Sequence, residues 1–267
     1  MTGKVNGIVF EEGGLAEGVP VVFIHSFPSN RTMWEPQREV LQKTCRFISY
    51  DVRGFGESEV GDGRYTLELF VDDLMGLLDH LKIRKAVLCG LSMGGYIALR
   101  AAERHPERLS GLVLCDTKSG ADSDEAKLKR TATLRAIKKN GVAPFADAFV
   151  KTVLTENTLQ TKPKVVESLL RSILGNSSTG ICGALLAMAA RTDTTAALST
   201  IHVPTLVLVG AEDKLTPPSA AQALQKVIPH ATLHVIPQAA HMSNLENPSV
   251  FNEKLLLFLS TYLIHFK

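Results

Sequence analysis

The chain has 267 residues, of which 45% are hydrophobic, and a formal net charge of +2. It can therefore bury a large core, as one domain or as one domain with an insertion. The basic residues are scattered, which argues against a nucleic-acid-binding surface. Residues 1–14 contain no apolar core of signal-peptide length, and no uncharged apolar stretch reaches the roughly 20 residues of a membrane helix. We expect a soluble, cytoplasmic protein with neither a membrane nor a nucleic-acid partner.

Four cysteines lie far apart in the sequence: Cys45, Cys89, Cys115 and Cys182. No pair has the C-x-x-C spacing of a metal or redox site, and three lie in or beside apolar runs. We therefore predict buried free thiols in a reducing compartment. Gly54 and Gly56 lack the third glycine and the helix of a dinucleotide-binding loop, and the sequence has no phosphate loop or metal-ligand cluster. We predict neither a cofactor nor a metal.

Short apolar runs alternate with amphipathic runs over the first 116 residues. Alternation over 4–10 indicates an edge strand, and apolar runs predict further strands at 21–25, 46–50, 86–89 and 112–116. Helices are predicted around 34–43, over 66–81 with Thr66 as N-cap, and from about 93 to 105. This β-α-β rhythm at short intervals argues for a parallel sheet with helices on both sides.

The rhythm stops between about residues 117 and 203, where no strand-like run occurs and at least three helices fit. The predicted helices cover 122–140, with Asp122 and Glu125 as a candidate capping box, 163–174 and 181–191. Strands at 205–210 and 232–236 and helices at 218–227 and 248–262 then resume the alternation. An all-helical insertion in such a chain is most simply a cap over one edge of the sheet. We predict a core of residues 1–117 and 203–267 and a helical cap at 118–202.

The stretch Gly90-Leu91-Ser92-Met93-Gly94-Gly95 follows the apolar run at 86–89 and opens a helix-forming run. The pattern G-x-S-x-G at a strand-to-helix turn is typical of the nucleophile elbow, in which the serine takes a positive φ and projects its hydroxyl above the sheet. Side chains two residues before and two after the serine would collide with the turn, which explains the glycines there. The alternative is an ordinary βα turn with a capping serine. We predict Ser92 as the nucleophile.

A serine hydroxyl is a poor nucleophile at neutral pH and needs an adjacent base that is oriented by a third group. Catalytic groups in parallel sheets collect at the carboxyl ends of the strands. His241 fits the base best, because it follows the strand at 232–236 by a few residues. His25 ends a strand near the site but precedes the serine in the chain, and His234 lies inside a strand.

The acid has three candidates. Asp213 lies just past the strand at 205–210, in a loop that also contains Glu212. Asp116, at the end of the preceding strand, is the main rival, and Glu212 is a lesser one. Asp213 gives the order serine, acid, histidine along the chain, which is the order expected of an α/β-hydrolase.

The chain resembles an α/β-hydrolase over nearly its whole length, because several spaced motifs fall in the family's order. They are the segment from His25 through Pro28 to Trp34, Asp51-x-Arg53-Gly54-x-Gly56-x-Ser58, Gly90 to Tyr96, Gly210-x-x-Asp213, and His241-x-x-x-x-Glu246-x-Pro248. It is similar to the branch that holds short-chain carboxylesterases, 3-oxoadipate enol-lactonases and cofactor-free haloperoxidases. The sequences of residues 31–34 and 54–58 are most similar to those of the carboxylesterases.

The resemblance implies an α/β-hydrolase fold: a mostly parallel central sheet flanked by helices, with a helical cap insertion. It also implies an oxyanion hole formed by the backbone N–H groups of Phe27 and Met93. The family usually has glycine after the histidine that corresponds to His25, where this chain has Ser26. Ser26 either bends the loop and misplaces the Phe27 donor, or adds a hydrogen bond. In the polar loop, Arg53 is expected to pair structurally with Asp51 or Glu57 rather than to act in catalysis.

The motifs and the resemblance together predict hydrolysis of small short-chain acyl esters by Ser92, His241 and Asp213 through an acyl-enzyme. The expected partner is a small-molecule ester. A lactone hydrolase of the 3-oxoadipate enol-lactonase type, or a perhydrolase, is the alternative within the same chemistry. A ligand-binding protein that kept the fold without the activity is a third interpretation.

Overall fold

The computed structural model describes residues 1–265 and contains eight strands and eleven α-helices within that range. The strands are β1 Thr2–Val5, β2 Ile8–Gly14, β3 Pro20–Ile24, β4 Arg46–Tyr50, β5 Ala86–Leu91, β6 Leu109–Cys115, β7 Thr205–Gly210 and β8 Thr232–Ile236. The helices are α1 Glu35–Leu41, α2 Leu67–His80, α3 Met93–Arg104, α4 Asp124–Asn140, α5 Ala143–Val153, α6 Glu156–Thr161, α7 Pro163–Leu174, α8 Ser178–Ala189, α9 Pro218–Val227, α10 Ser243–Glu246 and α11 Pro248–His265.

The eight strands form one sheet in the order β1-β2-β4-β3-β5-β6-β7-β8. Strand β2 runs antiparallel to both of its neighbours, and the six strands from β4 to β8 are parallel. The predicted α/β architecture, a mostly parallel sheet flanked by helices, is confirmed.

Alternate residues of the central strands face opposite sides of the sheet, as the two-residue period of a strand requires. On one side Leu88 of β5 packs in a cluster with residues of α2, α3 and α9. On the other side its neighbours Val87 and Cys89 pack in a second cluster with residues of α1 and α11. The central strands are buried on both faces, which explains their continuous apolar sequences.

The amino-terminal edge differs from the prediction of one strand at 4–10. The chain forms the hairpin β1–β2, whose turn residues Asn6 and Gly7 both have positive φ, 47° and 82°. An Asn-Gly pair is the strongest short-range signal for a two-residue hairpin, because both residues accept this backbone conformation. The alternation at 4–10 therefore spans two strands.

Five helices, α4 to α8, lie in the segment of about residues 117–203 for which helices and no strands were predicted, and three of them match the predicted helices. The predicted capping box at Asp122 is wrong. Ser123 is the N-cap of α4, and its hydroxyl accepts a hydrogen bond from the Ala126 N–H at 3.2 Å. Asp122 instead forms ion pairs with Arg130 and Arg191. By contrast, the predicted N-cap of α2 is confirmed, since Thr66 accepts from the Leu69 N–H.

The predicted state of the cysteines is also confirmed, because all four are free and buried. Among residues 1–265, no single helix is both long and apolar enough to cross a membrane; only the sharply bent pair α7 and α8, taken together, meets the length and composition criteria.

Candidate active site

Six parallel strands end at the same edge of the sheet, and the segments that follow five of them carry the candidate site residues predicted from the sequence. Phe27 follows β3, Ser92 follows β5, Asp116 follows β6, Asp213 follows β7 and His241 follows β8. In a parallel sheet this is the edge at which ligands bind, because the loops after successive strands converge there.

Ser92 stands at the turn between β5 and α3 with φ 54° and ψ −110°. Such a conformation is rare for a residue with a side chain and indicates a backbone held under strain by its surroundings. The Ser92 N–H donates to the Cys115 carbonyl at 2.9 Å, and the Ser92 carbonyl accepts from the Tyr96 N–H and from Thr117 Oγ1. The predicted positive φ is confirmed.

The glycines around Ser92 stand where the chain has no room for a side chain. A Cβ atom at Gly90 would collide with the Gly94 carbonyl, and one at Gly94 would collide with the carbonyl of Ile24 in β3. The tight turn and the close approach of α3 to the sheet therefore require glycine at both positions. A sharp, well-supported turn of this kind keeps the serine side chain in a fixed direction.

His241 is buried and lies next to Asp213, with 2.8 Å between Nδ1 and Oδ2. A carboxylate only accepts hydrogen bonds, so Nδ1 carries the proton and Nε2 is left as an acceptor. Asp213 also accepts from Thr216 Oγ1 at 2.6 Å and from the N–H groups of Leu215 and Thr216. Burial acts to raise the pKa of Asp213, but the hydrogen bond and charge interaction with His241, together with the bonds from Thr216, hold it below its usual value.

Asp116, the rival acid, does not contact His241. One of its carboxyl oxygens accepts from the Gly210 N–H at 2.8 Å, and the other is bonded to Ser243 Oγ. Complete burial and the nearby charge of Asp213 raise the pKa of Asp116 well above its usual range. Asp116 therefore favours the neutral form and links the end of β7 to the segment after His241. Glu212, the lesser rival, is exposed.

His25 uses both ring nitrogens within the loops around it. Its Nδ1 lies 2.9 Å from the Ser26 carbonyl, and its Nε2 accepts from the Val52 N–H at 2.9 Å. Burial lowers the pKa of His25. This histidine is neutral and shapes the loop that follows β3, which agrees with its place before the serine in the chain.

Ser26 does not have a positive φ, so this position does not need the backbone freedom of glycine. Its N–H and hydroxyl both point to the sulfur of Met33, at 3.2 and 3.6 Å, and the hydroxyl also lies 3.7 Å from the Met242 sulfur. The Phe27 N–H that follows has no acceptor in residues 1–265. Met93 is the first residue of α3, whose first amides have no acceptor within the helix. The geometry thus leaves both amides free, whereas their role as an oxyanion hole stays a prediction.

A cavity of about 380 Å³ opens above Ser92 and His241, and both residues line it. Much of the remaining lining comes from three helices of the segment at 118–202. It includes Ala126, Lys129, Arg130 and Thr133 of α4, Phe145 and Phe149 of α5, and Leu185 and Met188 of α8. The division into a core and a cap stays a prediction, but the helical segment forms a wall of the cavity. None of these lining residues was predicted from the sequence; the spacing of Phe145 and Phe149, one helical turn apart, was the available signal.

One predicted ion pair in the polar loop after β4 is wrong. Arg53 pairs with Asp73 of α2, with Nε 2.8 Å from Oδ2, and not with Asp51 or Glu57. Arg31 contacts both of those carboxylates instead. The Asp51 carboxylate also accepts hydrogen bonds from the backbone N–H groups of Arg31 and Glu57. Its oxygens are thus bonded within the loop, and Arg53 pairs with α2 instead.

The sheet order and the strained serine after its central strand β5 place the chain in the class of α/β hydrolases. A family model described as the alpha/beta hydrolase fold matches residues 19–248. The chain therefore belongs to the alpha/beta hydrolase family.

Relatives in this family include esterases and lactonases. The chain is 32% identical to 3-oxoadipate enol-lactonase 2 of Acinetobacter baylyi over 239 residues, which cover 90% of this chain and 88% of that protein. A thermophilic esterase from Thermogutta terrifontis, solved with malate bound, superimposes with a TM-score of 0.91 at 40% identity, covering 95% of this chain and 93% of the other. The enol-lactonase from Burkholderia xenovorans gives a TM-score of 0.90 at 31% identity, with 97% and 100% covered. The predicted resemblance to this branch is confirmed.

Proposed function

We propose that the protein is a serine hydrolase of small carboxylic esters, with Ser92 as nucleophile, His241 as base and Asp213 as the acid that orients His241. The observation that carries the proposal is the contact between His241 Nδ1 and Asp213 Oδ2, beside a cavity that His241 shares with Ser92. The contact fixes the tautomer that a base needs, because it leaves Nε2 unprotonated and able to accept the serine proton.

The reaction proceeds in two halves. Ser92 Oγ attacks the ester carbonyl while its proton passes to His241 Nε2, and His241 then returns the proton to the departing alcohol. Water attacks the acyl-enzyme in the second half, again with His241 as base, and Ser92 is released. Asp213 stays ionised throughout, because its hydrogen bonds favour the carboxylate and stabilise the positive charge that forms on His241.

The negative charge that develops on the carbonyl oxygen would be held by the N–H groups of Phe27 and Met93. Neither amide has a hydrogen-bond acceptor within residues 1–265, and both adjoin the Ser92 turn or the loop beside it. Loss of one such donor in enzymes of this kind costs about 2.7–4 kcal/mol of transition-state stabilisation. Two donors that need no reorganisation therefore supply a substantial part of the rate enhancement.

The cavity favours short substrates. Its volume is about 380 Å³, and the rings of Phe27, Phe145 and Phe149 pack against one another with centroids 5.5–6.1 Å apart. These rings limit the length of chain that fits beside Ser92. We expect 4-nitrophenyl acetate and butyrate to be hydrolysed faster than esters of twelve carbons or more.

The assignment is tested with Ser92→Ala and a matched control, Ser260→Ala, which alters an exposed serine of α11. Ser92→Ala should reduce hydrolysis of 4-nitrophenyl butyrate by a factor of about 10⁴ or more, since the nucleophile is lost. A fluorophosphonate probe should label the unaltered protein and Ser260→Ala but not Ser92→Ala. Retention of most activity by Ser92→Ala would exclude Ser92 as the nucleophile.

Lactone hydrolysis is the second candidate, because enol-lactonases are among the relatives that cover nearly the whole chain. It would use the same residues on a cyclic ester. Direct assay of 3-oxoadipate enol-lactone beside 4-nitrophenyl acetate distinguishes the two, and a much higher kcat/KM for the lactone would favour the lactonase.

A further inference from the structure

The cavity above Ser92 has a charge pattern that the proposed reaction does not use. Four cationic side chains line it, those of Lys118, Lys129, Arg130 and Lys214, against the single carboxylate of Asp122. Lys129 is paired with the exposed Glu125 at 2.7 Å. The charge that remains is positive, so the cavity attracts anions.

The carboxylate of Asp122 is already fully engaged. Arg191 Nη1 donates to one of its oxygens at 2.6 Å, and Arg130 Nε donates to the other. The guanidinium of Arg191 also lies over the ring of Tyr96, 4.2 Å from the centroid, and its buried Nε has no hydrogen-bond partner within the described residues. The Asp122 carboxylate is therefore ion-paired with two guanidinium groups and with no third cation among the described residues.

Two of the four cations, Lys214 and Lys118, have no anionic partner among residues 1–265, and of these only Lys118 is partly buried. It lies three residues beyond the end of β6, is half-buried, and lines the cavity together with Ser92. In residues 1–265 its ammonium has neither an ion pair nor a hydrogen bond. Burial, followed by repulsion from Arg191, lowers the pKa of Lys118. Partial removal of an ammonium from water is unfavourable unless an anion compensates it, and a ligand carboxylate would do so.

The rest of the wall is suited to the uncharged part of an ester. Phe27, Phe145, Phe149, Leu185 and Met188 form an apolar surface on the same cavity. Lys214, exposed beside the Asp213 loop, has no ion pair among the described residues and adds to the positive potential. The cavity thus combines an apolar wall, a reactive serine and an unpaired ammonium.

We propose that the substrate is an ester or lactone that carries a carboxylate, and that Lys118 binds this carboxylate. The inference rests on the proposed function, since it names the substrate class of the same site. It makes Lys118 a specificity-determining residue that discriminates between an anionic ester and its neutral analogue.

The test compares pairs of substrates in which the free carboxylate of one is a methyl ester in the other. Monomethyl succinate and dimethyl succinate place the carboxylate on the acyl side, while 4-acetoxybenzoate and its methyl ester place it on the alcohol side. In at least one pair, the kcat/KM of the unaltered protein should be about tenfold or more higher for the anionic substrate than for the neutral one. A difference of this size is the effect expected of one well-placed charged contact.

Variants at one position connect that preference to the ammonium. Lys118→Met should reduce the ratio of anionic to neutral kcat/KM by about tenfold or more, mainly through KM, and Lys118→Arg should retain most of it. Lys85→Met is the matched control, because Lys85 is an exposed lysine just before β5, at the opposite edge of the sheet. It should leave both rates unchanged. A ratio that is the same in Lys118→Met and in the unaltered protein would overturn the proposal.

The outcomes separate this proposal from the proposed function. If Ser92-dependent hydrolysis is found but neither pair shows a preference for the anion, the carboxylate proposal fails and the esterase assignment stands. If no ester is hydrolysed, the esterase assignment fails, and binding decides: succinate is titrated calorimetrically into Ser92→Ala and into Ser92→Ala with Lys118→Met. Binding about tenfold weaker in the double variant supports the anion site, whereas equal or undetectable binding in both overturns it.

Discussion

His241 Nδ1 lies 2.8 Å from Oδ2 of Asp213, and Thr216 Oγ1 donates to the same oxygen at 2.6 Å. Oδ2 of the carboxylate therefore accepts hydrogen bonds from the Thr216 hydroxyl and from the imidazole N–H, and the proton stays on His241 Nδ1. Asp213 belongs to the loop after β7 and His241 to the loop after β8, so the parallel pairing of these two strands brings them together.

Asp213→Asn should lower kcat for 4-nitrophenyl butyrate by a factor of about 10³–10⁴, as loss of the orienting carboxylate does in serine hydrolases. The asparagine amide can donate to Nδ1, which shifts the imidazole proton to Nε2 and removes the acceptor for the Ser92 hydroxyl. Steady-state kinetics beside a circular dichroism spectrum separates this effect from unfolding.

The matched control is Asp116→Asn. Asp116 favours the neutral form, because burial raises its pKa. An asparagine can still accept a hydrogen bond from the Gly210 N–H and form one with Ser243. The kcat of Asp116→Asn should therefore be about a hundredfold or more above that of Asp213→Asn. If the two variants were equally inactive, Asp116 would have to be counted as a second acid.

Much of the sheet follows from the sequence because local signals and tertiary structure agree. Continuous apolar runs give β4, β7 and β8 with the bounds found, and Pro218 marks the start of α9, where a proline needs no hydrogen-bond acceptor for its nitrogen. Chain order and the strand-end rule were enough to nominate Asp213 and His241, and the structure brings these two together.

What the sequence did not reveal depends on contacts between distant segments. Arg53 pairs with Asp73, 20 residues later on α2, and no local pattern distinguishes that carboxylate from nearer ones. The lack of an anionic partner at Lys118 likewise depends on how Arg130 and Arg191 share Asp122. Charge pairing of this kind is decided by the packing of α4 and α8 over the sheet edge.

Ser26→Gly tests the position at which this chain departs from its family. Ser26 has no positive φ, so glycine relieves no strain, and its added freedom in the unfolded chain should lower the free energy of unfolding by about 0.5–1 kcal/mol. The position of the Phe27 N–H should change little, and kcat should stay within a few-fold. Urea unfolding and esterase kinetics check both, and a large rise in kcat would show that Ser26 distorts the loop.

Glu246→Ala should destabilise the protein and lower its activity. The buried carboxylate accepts from the Ala240 N–H at 2.6 Å and from the N–H and hydroxyl of Thr155, so it fixes the segment before His241 to the start of α6. Loss of an acceptor for two buried amides, at about 1–3 kcal/mol each, predicts a loss of about 2–6 kcal/mol in unfolding free energy. Glu253→Ala, which removes an exposed carboxylate from α11, is the control and should change it by under about 0.5 kcal/mol.

The ion pairs of Asp122 should make stability depend on pH in the acid range. Burial acts to raise the pKa of Asp122, but the hydrogen bonds and charges of Arg130 and Arg191 hold it below the usual value. Because the folded chain then binds this proton more weakly than the unfolded chain, the contribution is complete above about pH 4 and is lost as the pH falls toward the lowered folded pKa. Asp122→Asn leaves both guanidinium groups without their carboxylate, and should cost about 3–5 kcal/mol at pH 7, by analogy with broken buried pairs. In urea unfolding from pH 7 to pH 2.5, the gap between the two proteins should narrow as the pH drops below 4; a gap that stays constant would show that Asp122 stabilises the fold by packing and not by charge.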